Sequence, residues 1–196
     1  ATPTIVAGRL YHINGSGYAV CLDAATGKRI WGVDTIDRFG GRLSRWGVSE
    51  SPLVVGKHVI CTPGGEKAAL GAMDKDTGKT IWTCTGLGDK AAYTTPILVE
   101  HGGLRQVVTI LANFAVGVSL ETGELLWKYP HKVPYEANCV TPVHVAGQIL
   151  LSGTWGRGAT LLKLNVSGKA CSVKELWRTK ALDNEHGGLI VVDGYI

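Results

Sequence analysis

The sequence predicts an all-β protein assembled from repeated four-stranded antiparallel units, and two columns of residues predict it independently. In the first column Asp23, Thr26, Gly27, Lys28 and Trp31 return closely as Asp74, Thr77, Gly78, Lys79 and Trp82. They return more loosely as Ser119, Thr122, Gly123 and Trp127, and most loosely as Asn165, Gly168, Lys169 and Trp177, with the tryptophans 45 to 51 residues apart. In the second column Pro3, Pro52, Pro96 and Pro142 each open an apolar run, at intervals of 44 to 49 residues. Proline is tolerated at the first residue of a strand, where its missing N–H is least needed. The 27 glycines suit many short strands joined by tight turns.

Alternation and turn signals divide the first unit into four strands, at residues 2–6, 9–13, 18–23 and 29–33. Ala7 and Gly8 make the first turn, and residues 14–17 the second. In the third, Asp23 accepts hydrogen bonds from the turn backbone while Gly27 supplies a positive φ. Four short strands in about 45 residues are the signature of a β-propeller blade. Blades are expected at residues 2–34, 52–85, 96–129 and 142–179, with the start of a fifth at 188–196, where Gly188 takes the proline's place. Four blades and a piece leave a strand edge open. The expectation is therefore a single segment of a larger, seven- or eight-bladed propeller, or a ring completed by self-association.

Composition narrows the function classes. A net charge of +4 makes no basic patch for nucleic acid. No apolar run approaches the roughly 18 residues of a spanning helix, and no signal-peptide core is present, so an export signal would lie outside this sequence. Cys21, Cys61, Cys84, Cys139 and Cys171 lack CxxC spacing. They read as buried free thiols, with one disulfide between blades as the alternative. The histidines show no HxxxH or HxH spacing, so no metal site is expected. Gly78, Lys79 and Thr80 imitate the tail of a phosphate-binding loop, but that motif needs glycine where Met73 stands.

Strand direction alternates, so the loops of a blade fall at two opposite ends. The long ones, residues 34–51, 63–67, 85–95, 129–141, 153–158 and 180–187, share one end, which is where a ligand or protein partner is expected. Glu50, Tyr93, Asn138 and His186 immediately precede the inner strands and would line the axis with a carboxylate, a phenol, an amide and an imidazole. The alternative is that they bond only to neighbouring loops. Trp46 and Trp155 stand outside the tryptophan column beside Arg45 and close to Arg157, where an indole and a guanidinium could hold an anionic ligand or a sugar, or simply pack a loop.

These two columns resemble the PQQ-like β-propeller repeat, marked by Asp-x-x-Thr-Gly-Lys-x-x-Trp on the last two strands of each blade. Residues 38–41, 45–52, 62–65 and 186–188 are similar to a bacterial branch of that family, related to the outer-membrane-assembly lipoprotein BamB. The resemblance implies that Trp31, Trp82, Trp127 and Trp177 pack against the turn glycines of neighbouring blades, the corner glycines being Gly27, Gly78, Gly123 and Gly168. It also implies a periplasmic or cell-envelope location. Quinoprotein dehydrogenases of this fold class stack their quinone between a tryptophan and a disulfide of adjacent cysteines, and hold calcium with carboxylate and amide oxygens. No two cysteines are adjacent here and no calcium-loop cluster of acids appears. The expected function is thus a non-catalytic binding or protein-interaction scaffold, with no cofactor assigned. The alternative is part of a PQQ-dependent alcohol or sugar dehydrogenase. There Glu50 would serve as calcium ligand or base, Trp46 or Trp155 as stacking platform and Arg45 or Arg157 as carboxylate partner.

Overall fold

A computed structural model describes residues 1–196. It contains four four-stranded antiparallel sheets, each in simple sequential order, and almost no helix. The first holds β1 (Thr4–Val6), β2 (Arg9–Ile13), β3 (Tyr18–Asp23) and β4 (Arg29–Asp34). After the short helix α1 (Thr35–Phe39) come β5 (Leu53–Val55), β6 (His58–Cys61), β7 (Leu70–Asp74) and β8 (Thr80–Cys84). The third sheet comprises β9 (Ile97–His101), β10 (Leu104–Ile110), β11 (Phe114–Ser119) and β12 (Leu125–Pro130). The fourth comprises β13 (Val143–Val145), β14 (Gln148–Ser152), β15 (Ala159–Ser167) and β16 (Ala170–Thr179). The chain divides into two compact units, Ala1–Ala91 and Ala92–Ile196, each with two sheets.

The repeated corner forms as its chemistry dictates. Asp23 Oδ1 accepts from the Thr26 backbone N–H at 2.8 Å and from its hydroxyl at 2.6 Å. Gly27, at φ +71°, closes the turn through its own N–H to the Asp23 carbonyl. Asp74 repeats the arrangement with Thr77 at 2.9 and 2.8 Å. These bonds favour the ionised carboxylates and lower the pKa of both. A feature the sequence did not announce follows each corner. The register slips by one residue just before the tryptophan in all four sheets, opposite Cys21/Leu22, Ala72/Met73, Gly117/Val118 and Leu161/Leu162. Such a bulge re-aims the next side chain.

In the first unit the re-aimed Trp31 lies between Tyr11, 6.1 Å away, and the corner of the next sheet. Its indole N–H donates to the Lys75 carbonyl at 2.9 Å, and a Cβ on Gly78 would sit 3.0 Å from its ring. Trp31, Trp82 and Trp127 are 8%, 7% and 6% exposed. In the second unit the column departs from the expected pattern. Trp127 donates to Gln106 Oε1 at 2.7 Å and leaves no room for a side chain on Gly117 of its own sheet. It does not meet Gly168, around which an added Cβ finds nothing within 4 Å. The reason is length: β15 and β16 run to nine and ten residues, carrying the Gly168 turn beyond the tryptophan's reach. Trp177 also departs, being 44% exposed, because only the segment around Gly194 and Ile196 lies over its side of the sheet.

Residues 188–196 form no strand. They form a single bridge, Val192 to Tyr195, with reciprocal 2.9 Å bonds across Asp193 and Gly194 at φ +50° and +80°. Ala7 and Gly8, and Ala146 and Gly147, turn the same way between the first two strands of their sheets, so the fifth copy is present as a hairpin tip. All five cysteines are free thiols. No helix is long and apolar enough to cross a membrane.

Candidate functional site

Strand order places every candidate at the long-loop end of its own sheet. Arg45, Trp46 and Glu50 belong to the first unit; Tyr93, Asn138, Trp155, Arg157 and His186 belong to the second.

Glu50 is buried to 2% exposure. One carboxylate oxygen accepts from the Thr62 backbone N–H at 2.8 Å, and the other from the Thr62 hydroxyl. Burial pushes its pKa up to about 7, against the opposing pull of the two Thr62 bonds. The neighbouring Cys61 thiol donates to the Gly71 carbonyl, and burial together with the Glu50 charge raises its pKa well above the usual value. Thr62 went unmarked as a polar partner in the sequence because it lies outside the repeat columns. The loop that holds this pair is shaped by glycine: a Cβ on Gly41 would lie 2.6 Å from the Pro63 carbonyl, and one on Gly65 2.5 Å from that of Gly40. Trp46 is 58% exposed, with the Arg45 guanidinium 5.2 Å from its ring centre.

In the second unit the Tyr93 N–H donates to the Asn138 carbonyl at 2.9 Å. The Asn138 amide nitrogen donates to the carbonyls of Leu111, Ala112 and His131 at 2.9 to 3.3 Å. This side chain therefore ties its own loop to two other backbone segments, at residues 111–112 and at His131. His131 lies beneath it with no exposed surface, and neither ring nitrogen finds a partner in hydrogen-bond geometry. Burial, assisted by the Arg157 charge, drops its pKa to about 3, although the nearby Ser152 backbone pulls slightly the other way.

Arg157 is directed away from Trp155. Its guanidinium reaches the Pro130 carbonyl at 3.4 Å and the Thr160 hydroxyl at 3.3 Å. The partner of Trp155 is instead Tyr135, which sequence reading missed because it falls in an unrepeated link: the ring centres are 5.8 Å apart at 79°. Both rings are exposed, and both residues hold positive φ, +53° and +59°. Asp183 fixes the Trp155 loop by accepting from the N–H groups of Gly156 at 2.8 Å and Gly158 at 3.0 Å. His186 is exposed, beside a turn closed by Asn184 on Gly187. No three His, Cys, Asp or Glu side chains gather as a metal site would require.

Comparison with known proteins agrees with this architecture. A family model described as outer membrane protein assembly factor BamB matches residues 1–196. The dehydrogenase subunit of a quinone alcohol dehydrogenase from Acetobacter aceti is 27% identical over 192 residues, covering 80% of this chain and 23% of that protein. Quinoprotein alcohol dehydrogenase PedH of Pseudomonas putida is 29% identical over 140 residues, covering 66% of this chain and 22% of its own length. The chain thus spans about a quarter of the length of these curated relatives. Among solved structures, BamB from Moraxella catarrhalis superposes with a TM-score of 0.55 at 16% identity, over 90% of this chain and 62% of that one. Quinohemoprotein alcohol dehydrogenase from Comamonas testosteroni gives 0.52 at 26% identity, over 66% of this chain and 20% of its own. With its four sequential sheets and recurring corner, the chain belongs to the PQQ-like β-propeller family that includes BamB and the quinoprotein dehydrogenases.

Proposed function

We propose that this propeller segment is a binding or protein-interaction scaffold whose ligand or partner sits at the long-loop ends of its sheets, in a protein of the periplasm or cell envelope. The observation that supports this most directly is the Tyr135 and Trp155 pair: two large aromatic rings in contact and left in solvent, Tyr135 at positive φ in an unrepeated link and Trp155 on a turn tied down by Asp183. Strain at an exposed position points to a use beyond folding. The family model's description as an assembly factor fits the same reading.

The second reading, part of a quinone-dependent alcohol dehydrogenase, is favoured by the names of the two curated relatives. The residues of this chain do not by themselves fit calcium. That ion takes six to eight oxygen ligands, whereas no cluster of acidic side chains gathers around Glu50, which is buried against Thr62 with its pKa pushed up to about 7. Calorimetric and thermal-shift titration with pyrroloquinoline quinone, with and without calcium, separates the readings. The scaffold gives neither heat nor shift. Saturable calcium-dependent binding overturns it in favour of the dehydrogenase.

A further inference from the structure

Six non-glycine residues of the chain have positive φ. Ala7, Ala146, Trp155 and Asp193 each precede a positive-φ glycine in a two-residue turn, which demands that conformation; at Trp155 and Gly156 the turn is closed by the Arg157 N–H on the Thr154 carbonyl at 3.2 Å. The other two, Tyr135 and Glu136, belong to a link of the second unit that runs beside the Trp155 turn. Val133 Cγ1 lies 2.9 Å from where a Cβ would stand on Gly153, and further along Tyr135 touches Trp155. An L-residue in the left-handed region costs about 1–2 kcal/mol. At Tyr135 and Glu136, in the link between two sheets, no hairpin requires it, and neither aromatic side chain is well buried: Tyr135 is 69% and Trp155 49% exposed.

We infer that Tyr135 and Trp155 form a platform for the ring of a neutral sugar, an inference that rests on the scaffold reading and names a ligand class for it. At 5.8 Å and 79° the rings are in direct edge-to-face contact, so no third group fits between them. A compact cation, best held by rings that face it from several sides, is therefore poorly served. A ligand must lie flat on an outer ring face and remain partly in water. A pyranose does both: its C–H face carries partial positive charge toward the negative π-face, while its hydroxyls radiate from the rim. One acceptor beside the platform suits those hydroxyls: Asp183 binds the Gly156 and Gly158 N–H groups next to Trp155, and each of its oxygens keeps a second lone pair. The loop is already rigid: besides the Asp183 bonds, Asn184 N–H donates to the Gly153 carbonyl at 3.0 Å and Gly153 N–H to Gly158 at 3.0 Å. Little ordering remains for a ligand to impose.

The test is titration of the ¹⁵N-labelled protein with cello-, malto- and chito-oligosaccharides, following the indole N–H signals, with Trp155 assigned by its loss in Trp155→Gly. Glycine accepts positive φ, so this variant should melt within about 3 °C of the wild type and retain its other five indole signals. The expected result is a saturable shift of the Trp155 signal by at least one oligosaccharide, with a Kd on the order of 1 mM, weakened at least about tenfold in Trp155→Gly and in Tyr135→Gly. Absence of any shift, or the same affinity in Trp155→Gly, overturns the sugar platform. A response only to tetramethylammonium or an arginine-rich peptide overturns it in favour of a cation site. None of these failures touches the scaffold reading, which the quinone titration decides separately.

Discussion

Replacing Glu50 by glutamine should stabilise the protein at alkaline pH and do little at acid pH. The buried carboxyl has its pKa raised from 4.5 to about 7, so the folded chain keeps a proton that the unfolded chain releases in that window. Stability from this group is full below pH 4.5, declines as pH rises toward 7 and stays lost above it. At about 1.4 kcal/mol per pH unit the loss amounts to about 3 kcal/mol. Glutamine never ionises, and it can keep both contacts: its oxygen accepts the Thr62 N–H while its amide donates to the Thr62 hydroxyl, which rotates to receive it. The gap between the two proteins should therefore be under about 1 kcal/mol at pH 5 and approach 3 kcal/mol at pH 8, or roughly 6–12 °C in Tm for a chain of this size. Paired thermal or urea melts across that range measure it, and pH effects common to both proteins cancel. A variant less stable than wild type, with the deficit growing from pH 5 to pH 8, would refute the reasoning by showing that the ionised carboxylate is compensated in the fold.

Two further outcomes follow from the same structure. His131, buried with its pKa dropped from 6.5 to about 3, contributes stability that is full above pH 6.5 and lost as pH falls toward 3. His131→Leu should accordingly flatten the acid limb of the stability profile, and melts between pH 4 and 7 that fall as steeply as wild type would count against this. Gly78→Ala and Gly27→Ala both place alanine at φ near +70°, each costing about 1–2 kcal/mol, but only the first also meets the Trp31 ring. Gly78→Ala should lose at least about 1 kcal/mol more, and equal losses in urea unfolding would deny that Trp31 bears on that corner.

The strands of the first sheet were legible almost to the residue, because Asp23, Gly27 and the apolar alternation are local signals whose hydrogen bonds close within the same turn. The bulge before each tryptophan was not, since skipping Ile30 between Arg29 and Trp31 leaves no mark in composition or spacing. The helix Thr35–Phe39 was hidden inside a long link despite its capping Asp34 and the left-handed Gly40 that ends it. Among the candidates, the Arg45 and Trp46 contact could be anticipated because adjacent residues bring their own proximity. Arg157 and Trp155 could not be resolved in that way: the bend at Trp155 and Gly156 turns the two side chains toward different neighbours. Tyr135 and Thr62 depend on contacts 20 and 12 residues away in sequence, which no local pattern records.

The joint in which Trp31 donates to Lys75 and presses on Gly78 is directional. One copy of the motif gives the tryptophan and the following copy gives the corner, so the two sides of the joint are unlike and neither copy can satisfy itself. A module joined in this way can be added or removed as a whole without redesigning its neighbours, because each new copy brings both halves of the connection. Mutational drift would then be tolerated unequally: a worn corner such as Ser119, whose hydroxyl merely stands in for the aspartate with a 3.3 Å bond to Thr122 N–H, still serves the turn. Loss of Trp31 would instead leave the Gly78 corner of the following module without its cover.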